Sequence, residues 1–354
     1  MPPRGRGSRL NPESRFSDWR HSPEDDGWTD GAPPDPAAPA GPATTLFMDK
    51  TRSVIVRNQS PDIPFSQSVN PYKGCEHGCV YCFARPGHAY LGLSPGLDFE
   101  TRIGWKPDAA EILRKELSAP GYRCQPIALG ISTDGWQPVE RRLGLSRRLL
   151  EVLVETRHPV SIVTKSALIE RDADLLADLA RDDLVQVMFS ITTLEPSLAR
   201  RMEPRAASPA RRLLAMETLH QAGVPVGVLF APLIPAINDH EMEAVLAAAR
   251  QAGAECAAHV LLRLPHELKA LFEDWLNSHF PDRAAHVLSL LRQMHGGELY
   301  DSRFGQRMRG EGVFADLYSQ RMRKATARLG LDQRRRLNTA AFHPPTDGRQ
   351  MTLF

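Results

Sequence analysis

The chain has 354 residues, 42% of them hydrophobic, and is long enough to bury the core of a full α/β enzyme domain. Its formal net charge of +2 excludes the strong positive field that duplex binding usually requires, so nucleic acid is a possible partner but not an indicated one. No apolar run reaches the roughly 18 residues of a membrane span, and the first residues lack the apolar stretch of a secretory signal. We therefore predict a cytoplasmic protein with no membrane contact.

The first 45 residues are rich in proline, glycine, serine and charged side chains. Such a segment cannot bury enough apolar surface to offset the entropy lost on ordering, so we predict a disordered tail over residues 1–45. Short extended pieces follow between residues 53 and 72 and lead into a cysteine-rich stretch.

Three of the five cysteines, Cys75, Cys79 and Cys82, crowd into residues 74–83. Their spacing, C-x3-C-x2-C, differs from a secreted disulfide framework and is typical of thiolate ligands kept reduced in the cytosol. Iron–sulfur clusters are usually held by four cysteines, and no fourth lies nearby, so we interpret the stretch as a 4Fe-4S site with one iron open to another ligand. The alternatives are a zinc knuckle completed by His77 and a cluster of free thiols; structural zinc sites, however, normally take ligand pairs from two separate loops.

Beyond the cysteines, apolar β-branched runs alternate with stretches of helical period. Strands are predicted at 127–131, 160–164, 185–192, 226–231 and 259–264. Helices are predicted at 107–117, 145–156, 172–181, 209–222 and 241–252. Parallel neighbours need a crossover connection, so this alternation predicts an α/β fold with a mainly parallel sheet of about six β-α units. Six units are too few for a complete barrel, which leaves a partial (β/α)6 TIM-type barrel or an open doubly wound sheet.

The C-terminal part of the sequence turns helical. Helices are predicted at 266–278, 282–293 and 313–329. We therefore predict a core domain over 46–265, a helical C-terminal extension over 266–332 that packs on the barrel, and a flexible tail over 333–354.

The C-x3-C-x-aromatic-C pattern, with Tyr81 at the aromatic position, is the signature of the radical S-adenosylmethionine (SAM) superfamily. The wider sequence includes Asn-Pro-Tyr-Lys-Gly-Cys (70–75), Val-Thr-Lys-Ser (163–166) and Arg-Met-Glu-Pro-Arg (201–205). Over roughly residues 50 to 330 it resembles a bacterial branch related to spore photoproduct lyase and often labelled DNA repair photolyase-like. The resemblance implies a 4Fe-4S cluster, SAM as cofactor, a 5'-deoxyadenosyl radical that abstracts hydrogen from a substrate, and a reducing electron donor of flavodoxin or ferredoxin type. It also implies that Tyr81 lies beside the cofactor.

Polar residues stand where the predicted strands end, on the side of the fold where ligands bind. In the spore photoproduct lyase group, a hydroxyl residue, a lysine and a serine at these strand ends contact SAM. The resemblance implies the same role for Ser132 or Thr133, for Lys165 and for Ser190. Arg263, at the end of the sixth strand, is a further candidate for a carboxylate of cofactor or substrate. The alternatives are turn capping for the hydroxyls and a solvated surface charge for the lysine.

Two residues of the Arg-Met-Glu-Pro-Arg segment, Glu203 and Arg205, could reach ribose or substrate, but an exposed ion pair is equally expected. Spore photoproduct lyase carries a hydrogen-donor cysteine at the end of its second strand, where this chain reads Leu-Gly-Ile-Ser-Thr (129–133). Lyase activity therefore does not follow from the resemblance, because fold and cofactor do not fix the substrate.

Three hypotheses about function stay open. The first is a radical SAM enzyme acting on an unknown substrate. The second is a DNA-lesion repair lyase, for which the supporting features are the arginine clusters at 141–142, 147–148, 211–212 and 334–336. The third is a non-catalytic Fe-S electron carrier or sensor, which would not need the polar strand ends.

Overall fold

The computed structural model describes residues 5–17, 42–333 and 335–345, which contain ten strands and eleven α-helices. The strands are β1 (Thr45–Met48), β2 (Ile55–Arg57), β3 (Gln67–Val69), β4 (Tyr72–Lys73), β5 (Arg102–Trp105), β6 (Ile127–Leu129), β7 (Val160–Thr164), β8 (Val185–Ser190), β9 (Val226–Leu233) and β10 (Cys256–Leu261). The helices are α1 (Asp98–Thr101), α2 (Ala109–Leu117), α3 (Glu140–Leu143), α4 (Leu145–Glu155), α5 (Ala173–Ala180), α6 (Pro196–Met202), α7 (Pro209–Gln221), α8 (Met242–Gln251), α9 (Leu268–His279), α10 (Pro281–Met294) and α11 (Gly312–Leu329). None of the helices in the described ranges is long and apolar enough to cross a bilayer.

The main sheet has seven strands in the order β10-β9-β8-β7-β6-β3-β2. Each pair from β3 to β10 is parallel, and only β2, at one edge, runs antiparallel to its neighbour β3. The helices α4, α5, α7 and α8 connect consecutive parallel strands, as crossovers must. The two edge strands, β2 and β10, do not pair with each other, so six parallel strands form a partial TIM-type barrel and the predicted fold class is confirmed.

The predicted strands and helices of the barrel are all present, with bounds that differ by a few residues. The strand β6 ends at Leu129 rather than at residue 131, and β8 ends at Ser190 rather than at 192. After β6 the chain turns, and the amide of Ser132 donates to the Asn70 side chain at 2.9 Å instead of to a neighbouring strand. Element ends depend on such side-chain contacts, which a periodic pattern does not contain.

A second, three-stranded sheet in the order β1-β5-β4 was not predicted. The central strand β5 pairs in parallel with β1 and antiparallel with β4. Strands of two to four residues are too short to show a period of two, so the sequence gives no signal for them. The cysteine stretch lies between two strands of this small sheet, because β4 ends at Lys73 and β5 begins at Arg102.

Part of the segment predicted as a disordered tail is placed on the core instead. Within residues 5–17, the amides of Gly7 and Ser8 donate to the buried Glu100 carboxylate at 2.8 and 2.9 Å. The Ser14 hydroxyl donates to the Ala89 carbonyl at 2.8 Å. These polar contacts require no apolar surface from the segment, which is why composition gave no sign of them. The rest of the predicted tail up to residue 41 lies outside the described residues.

The C-terminal region also differs from its prediction in part. The three helices of the predicted extension are present as α9, α10 and α11, and α11 packs against α8 and β10. Within the predicted flexible tail, residues 335–345 are placed against the core. The Phe342 ring lies 5.5 Å from that of Tyr122 and 5.3 Å from that of His158, between centroids, and the His343 amide donates to Thr156 O at 3.0 Å. These contacts of the half-buried Phe342 ring and of the His343 amide hold the segment, and hydrophobic pattern alone gives no sign of them.

Candidate active site

The cysteine loop, residues 74–83, leaves β4 and turns tightly at the mouth of the barrel. Cys75 and Cys79 are buried and Cys82 is half-buried. The Cys75 amide donates to Phe99 O at 2.9 Å, and the Cys82 amide donates to Cys79 O at 3.2 Å. Gly78 lies between the first two cysteines with φ of +68°, a conformation that glycine adopts without strain. These contacts hold the three cysteines within one compact loop.

Burial dominates the acid–base properties of two of these thiols. It raises the pKa of Cys79 to about 12, and it raises the pKa of Cys75 well above that of a free thiol, with the neighbouring Asp134, Cys79 and Cys82 adding to the effect on Cys75. Buried thiolates so close together need a compensating positive charge, and metal ions supply one. The donor set therefore fits an iron–sulfur cluster.

The structure gives no support to the zinc alternative. In the described part of the chain, no three histidine, cysteine, aspartate or glutamate side chains converge to hold a single metal ion. The His77 Nδ1 atom lies 3.4 Å from Asp134 Oδ2. A cluster with several irons does not need its three thiolates to meet at one point.

Tyr81 is held by a buried carboxylate from a distant part of the chain. Its hydroxyl donates to Glu203, which also accepts from the Thr192 hydroxyl at 2.9 Å. Glu203 is 3% exposed and forms an ion pair with the buried Arg212, whose guanidinium donates to Ser190 O at 2.7 Å. Burial opposes ionisation of Glu203, but the charges of Arg212 and Lys165 and the hydrogen bonds from Arg212 and Tyr81 together lower the carboxyl pKa. The alternative of an exposed ion pair at Glu203 is therefore wrong.

The segment around Glu203 also braces the loop through its backbone. The Val80 amide donates to Met202 O at 3.0 Å, and the Arg205 amide donates to His77 O at 3.2 Å. The Arg205 guanidinium lies 3.3 Å from the Glu76 carboxylate. Two backbone hydrogen bonds and an ion pair thus hold the cysteine loop against the end of α6 and the residues that follow it.

Two of the predicted strand-end residues meet beside the cysteine loop. The Lys165 ammonium, just after β7, donates to the Ser190 hydroxyl at the end of β8, at 2.8 Å. The Ser190 hydroxyl in turn donates to Ala231 O at 2.9 Å. The Lys165 Nζ atom lies 5.7 Å from the centroid of the Tyr81 ring. The parallel strands therefore bring Lys165, Ser190 and Tyr81 to one place.

The other two predicted hydroxyls differ from each other. The Thr133 side chain is buried, and its hydroxyl donates to Tyr72 O at 3.1 Å, just before the cysteine loop. The Ser132 side chain is exposed, and its amide is held by Asn70. Thr133 is thus tied to the loop, whereas Ser132 has its side chain free to face solvent or a ligand.

Arg263 follows β10 and stacks on the cysteine loop from the open side of the barrel. Its guanidinium carbon lies 4.8 Å from the centroid of the Phe83 ring, directly after Cys82 in sequence. Its Nε atom is buried and has no hydrogen-bond partner among the described residues. A buried, unpaired guanidinium N–H at this place fits an anionic group of a cofactor or substrate.

Two polar residues that hold the site were not singled out from the sequence. Asp134 accepts from the Thr164 hydroxyl at 2.9 Å and from the Lys165 amide at 2.7 Å. Gln137 accepts from the Glu76 amide at 2.8 Å and donates from its side chain to the loop. Their only sequence signal is a position shortly after a predicted strand, which many surface residues share.

A family model described as the Radical SAM superfamily matches residues 69–249. Among curated proteins, Uncharacterized protein Rv2578c of Mycobacterium tuberculosis (strain ATCC 25618 / H37Rv) is 35% identical over 233 residues, which cover 65% of this chain and 68% of that protein. Uncharacterized protein MJ0683 of Methanocaldococcus jannaschii is 28% identical over 173 residues, which cover 49% of this chain and 62% of that protein.

Solved structures share the fold. A spore photoproduct lyase complexed with dinucleoside spore photoproduct superposes with a TM-score of 0.59 at 15% identity, over 80% of this chain and 79% of that one. A spore photoproduct lyase mutant with bound AdoMet and dinucleoside spore photoproduct gives a TM-score of 0.58 at 15% identity over the same shares. At this level of identity the likeness shows the barrel fold and no more.

Proposed function

The chain belongs to the radical SAM superfamily and is a radical SAM enzyme, and on this premise we propose that Cys75, Cys79 and Cys82 hold a 4Fe-4S cluster beside bound SAM. The observation that carries the proposal is the meeting of the Lys165–Ser190 pair with Tyr81, the residue that precedes Cys82. A cationic and a hydroxyl donor beside a loop that carries three cysteines suit an amino-acid cofactor. The spore photoproduct lyase structure with bound AdoMet further supports SAM as that cofactor.

The chemistry that the cluster supplies when bound is one-electron reduction of the SAM sulfonium, which yields methionine and a 5'-deoxyadenosyl radical able to take hydrogen from a substrate. The protein's own contribution is to bind, orient and exclude water. The buried network around Glu203 holds Tyr81 and the cysteine loop in one position, and the Asp134 carboxylate fixes the backbone of Lys165. A site held in this way limits movement of a reactive intermediate and its quenching by solvent.

We assign the polar groups to the ends of SAM by their charge. Lys165 presents an ammonium group suited to the methionine carboxylate, and Ser190, already bonded to it, offers a hydroxyl beside the same group. Arg263 is suited to a second anionic group, of the cofactor or of the substrate, on the open side of the barrel. The reducing electron comes from a donor of flavodoxin or ferredoxin type.

The alternative of a DNA-lesion lyase loses part of its support from the sequence, because several of the clustered arginines are paired or buried within the chain. Arg147 is ion-paired with Asp172 and Asp174, and Arg211 is ion-paired with Glu170. Arg212, as described, is buried, and Arg335 pairs with Glu255 and Asp183; Arg334 lies outside the described residues. Arginines neutralised within the chain have little left to offer phosphate groups, which leaves exposed arginines such as Arg141 and Arg142 as the remaining support for this alternative.

Anaerobic reconstitution tests the proposal directly. The protein should take up about four irons per chain, and with dithionite it should convert SAM into 5'-deoxyadenosine and methionine in equal amounts. Liquid chromatography with mass spectrometry measures both products. A protein that holds the cluster and binds SAM but forms no 5'-deoxyadenosine would contradict the proposal. Transfer of deuterium from labelled candidates into 5'-deoxyadenosine then identifies the substrate.

Replacing Lys165 with methionine should weaken SAM binding about tenfold or more, because a charge-assisted hydrogen bond to the carboxylate is lost. Equilibrium dialysis of reconstituted protein measures the dissociation constant, and iron content reports whether the cluster is retained. The matched control is Lys115→Met, an exposed lysine on α2, which should bind SAM as the wild type does. Equal affinity of the Lys165→Met variant and this control would rule out the assigned role.

A further inference from the structure

An N-terminal strap, residues 6–15, lies across the outer side of the cysteine loop. It is tied to the segment that follows this loop, because the Leu97 amide donates to Leu10 O at 3.2 Å and the Ser14 hydroxyl donates to Ala89 O at 2.8 Å. Farther away, Arg9 pairs with Asp274 on α9 at 2.6 Å. The strap therefore joins the surroundings of the cysteine loop to the C-terminal helices.

Glu100 is the buried centre of this arrangement. Its carboxylate, 0% exposed, accepts from the amides of Gly7 and Ser8 and pairs with the Arg85 guanidinium. The carbonyl of the same residue accepts from Arg6 at 2.7 Å. One side chain thus binds the strap on one side and an arginine on the other, with its charge matched inside the protein.

Arg85, which pairs with Glu100, also donates hydrogen bonds to the cysteine loop. Its Nε donates to Cys79 O at 2.8 Å, and its guanidinium donates to Gly78 O at 3.2 Å. A further N–H donates to Gly96 O at 2.8 Å. The planar, five-donor guanidinium can hold several carbonyls in fixed positions at once. The strap, Glu100 and Arg85 therefore form one chain of contacts that ends on the backbone of a proposed cluster ligand.

The strap approaches the loop so closely at Gly7 that no side chain fits. A Cβ atom added there would lie 1.8 Å from Gly78 O, well inside van der Waals contact. Leu10 and Phe16, the large apolar residues in and just after the strap, are 38% and 55% exposed. The strap is therefore held by polar contacts and close backbone packing, so its displacement leaves the hydrophobic core of the barrel in place.

We propose that Glu100 and Arg85 are positioning residues of the cluster loop. The N-terminal strap donates two hydrogen bonds to Glu100, covers the loop from outside and keeps water and oxygen from the cluster. The inference rests on the proposed cluster at Cys75, Cys79 and Cys82. Without the strap, the Glu100 carboxylate loses two N–H donors, and the loop carbonyls that Arg85 holds are free to move. A cluster on a mobile, wetter loop loses iron and reacts with oxygen faster.

The test uses full-length, reconstituted protein with Gly7→Ala, in which the added Cβ must displace the strap. The matched control is Gly87→Ala, because a Cβ added there meets nothing within 4 Å. The loss of two donors to a buried carboxylate should raise the population of the locally opened loop by on the order of tenfold. We therefore expect the Gly7→Ala variant to release iron to bathophenanthroline about tenfold faster, and its cluster absorbance to bleach in air about tenfold faster. The melting temperature should stay near that of the control, whereas a merely structural role would lower it along with the cluster's lifetime.

Hydrogen exchange at residues 7 and 8, measured on the cluster-free protein, reports independently whether the strap is docked. A second variant, Ser8→Pro, removes one of the two donors to Glu100 and places the ring Cδ against the carboxylate, while Gly7 and its contact with the loop are unchanged. Exchange in this variant is measured at residue 7 alone, because proline has no amide hydrogen. Faster exchange with unchanged bleaching in either variant would overturn the inference, and so would unchanged exchange in both. If the wild type takes up no cluster, the proposed function fails; if the wild type cleaves SAM and the variants bleach at its rate, only the role of the strap fails.

Discussion

Replacing Cys79 with alanine should leave less than about a tenth of the wild-type iron bound and abolish the cleavage of SAM, because two thiolates do not hold a 4Fe-4S cube stably. The loss should be seen both in the charge-transfer absorbance of the reconstituted protein and in the yield of 5'-deoxyadenosine. Cys79 is buried in the loop, and Arg85 fixes its carbonyl, so the alanine variant removes the thiol without exposing new surface.

The control for this experiment is Cys124→Ala. Cys124 is half-buried and lies outside the cysteine loop, before β6, where burial raises the pKa of its thiol to about 11. This variant should keep its iron and its activity. If Cys79→Ala also kept a full complement of iron, the thiol would not be a ligand, and the proposed site would have to be abandoned.

Replacing Arg212 with alanine should destabilise the protein by about 3–5 kcal/mol, because it leaves the Glu203 carboxylate buried without its counter-charge. The Arg212 side chain is 1% exposed and also donates to Ser190 O, so the change opens a polar cavity below Lys165 and Ser190. Urea unfolding of the cluster-free protein measures the free energy of unfolding. We also expect slower SAM cleavage per bound cluster, since Tyr81 loses a fixed partner.

The adjacent residue supplies a close control. The Arg211 side chain is 43% exposed and pairs with Glu170 at the surface, so Arg211→Ala should change the free energy of unfolding by no more than about 1 kcal/mol. Both variants remove one arginine from the same turn of α7, and only burial separates them. Equal stabilities for the two variants would show that the Glu203–Arg212 pair contributes nothing beyond a surface contact.

These variants address one property of the site, which is that the cysteine loop is fixed from several directions. Residues 202–205 hold it from the barrel side, Gln137 holds it from the turn after β6, and Arg85 holds it from outside. Three independent attachments suit a loop that must keep three thiols at fixed positions relative to one another. Each attachment can be weakened by mutation without changing a cysteine. Its effect on the stability of the loop can therefore be measured separately from the loss of a ligand.

The sequence by itself determined the cysteine spacing, the order of strands and helices, the position of Lys165 directly after a strand and that of Ser190 near the end of the next one. These features are local, because ligand spacing and hydrophobic period are each contained in fewer than about twenty consecutive residues. Parallel topology then follows from alternation, and it places the ends of β7 and β8 side by side. Thus Lys165 and Ser190 could be expected on neighbouring strands, while their hydrogen bond is seen only in the structure.

Only the tertiary structure decided the partners that hold the site. Tyr81 and Glu203 are 122 residues apart, and the strap meets Glu100 across 93 residues, so no periodic pattern connects them. The sequence does not distinguish a buried carboxylate from an exposed one. The free energy of holding the ionised group depends on the surrounding dielectric and on the hydrogen-bond donors, which only the folded structure supplies. For the same reason a proline- and glycine-rich N-terminus is interpreted as disordered until Glu100 supplies the buried charge that anchors part of it.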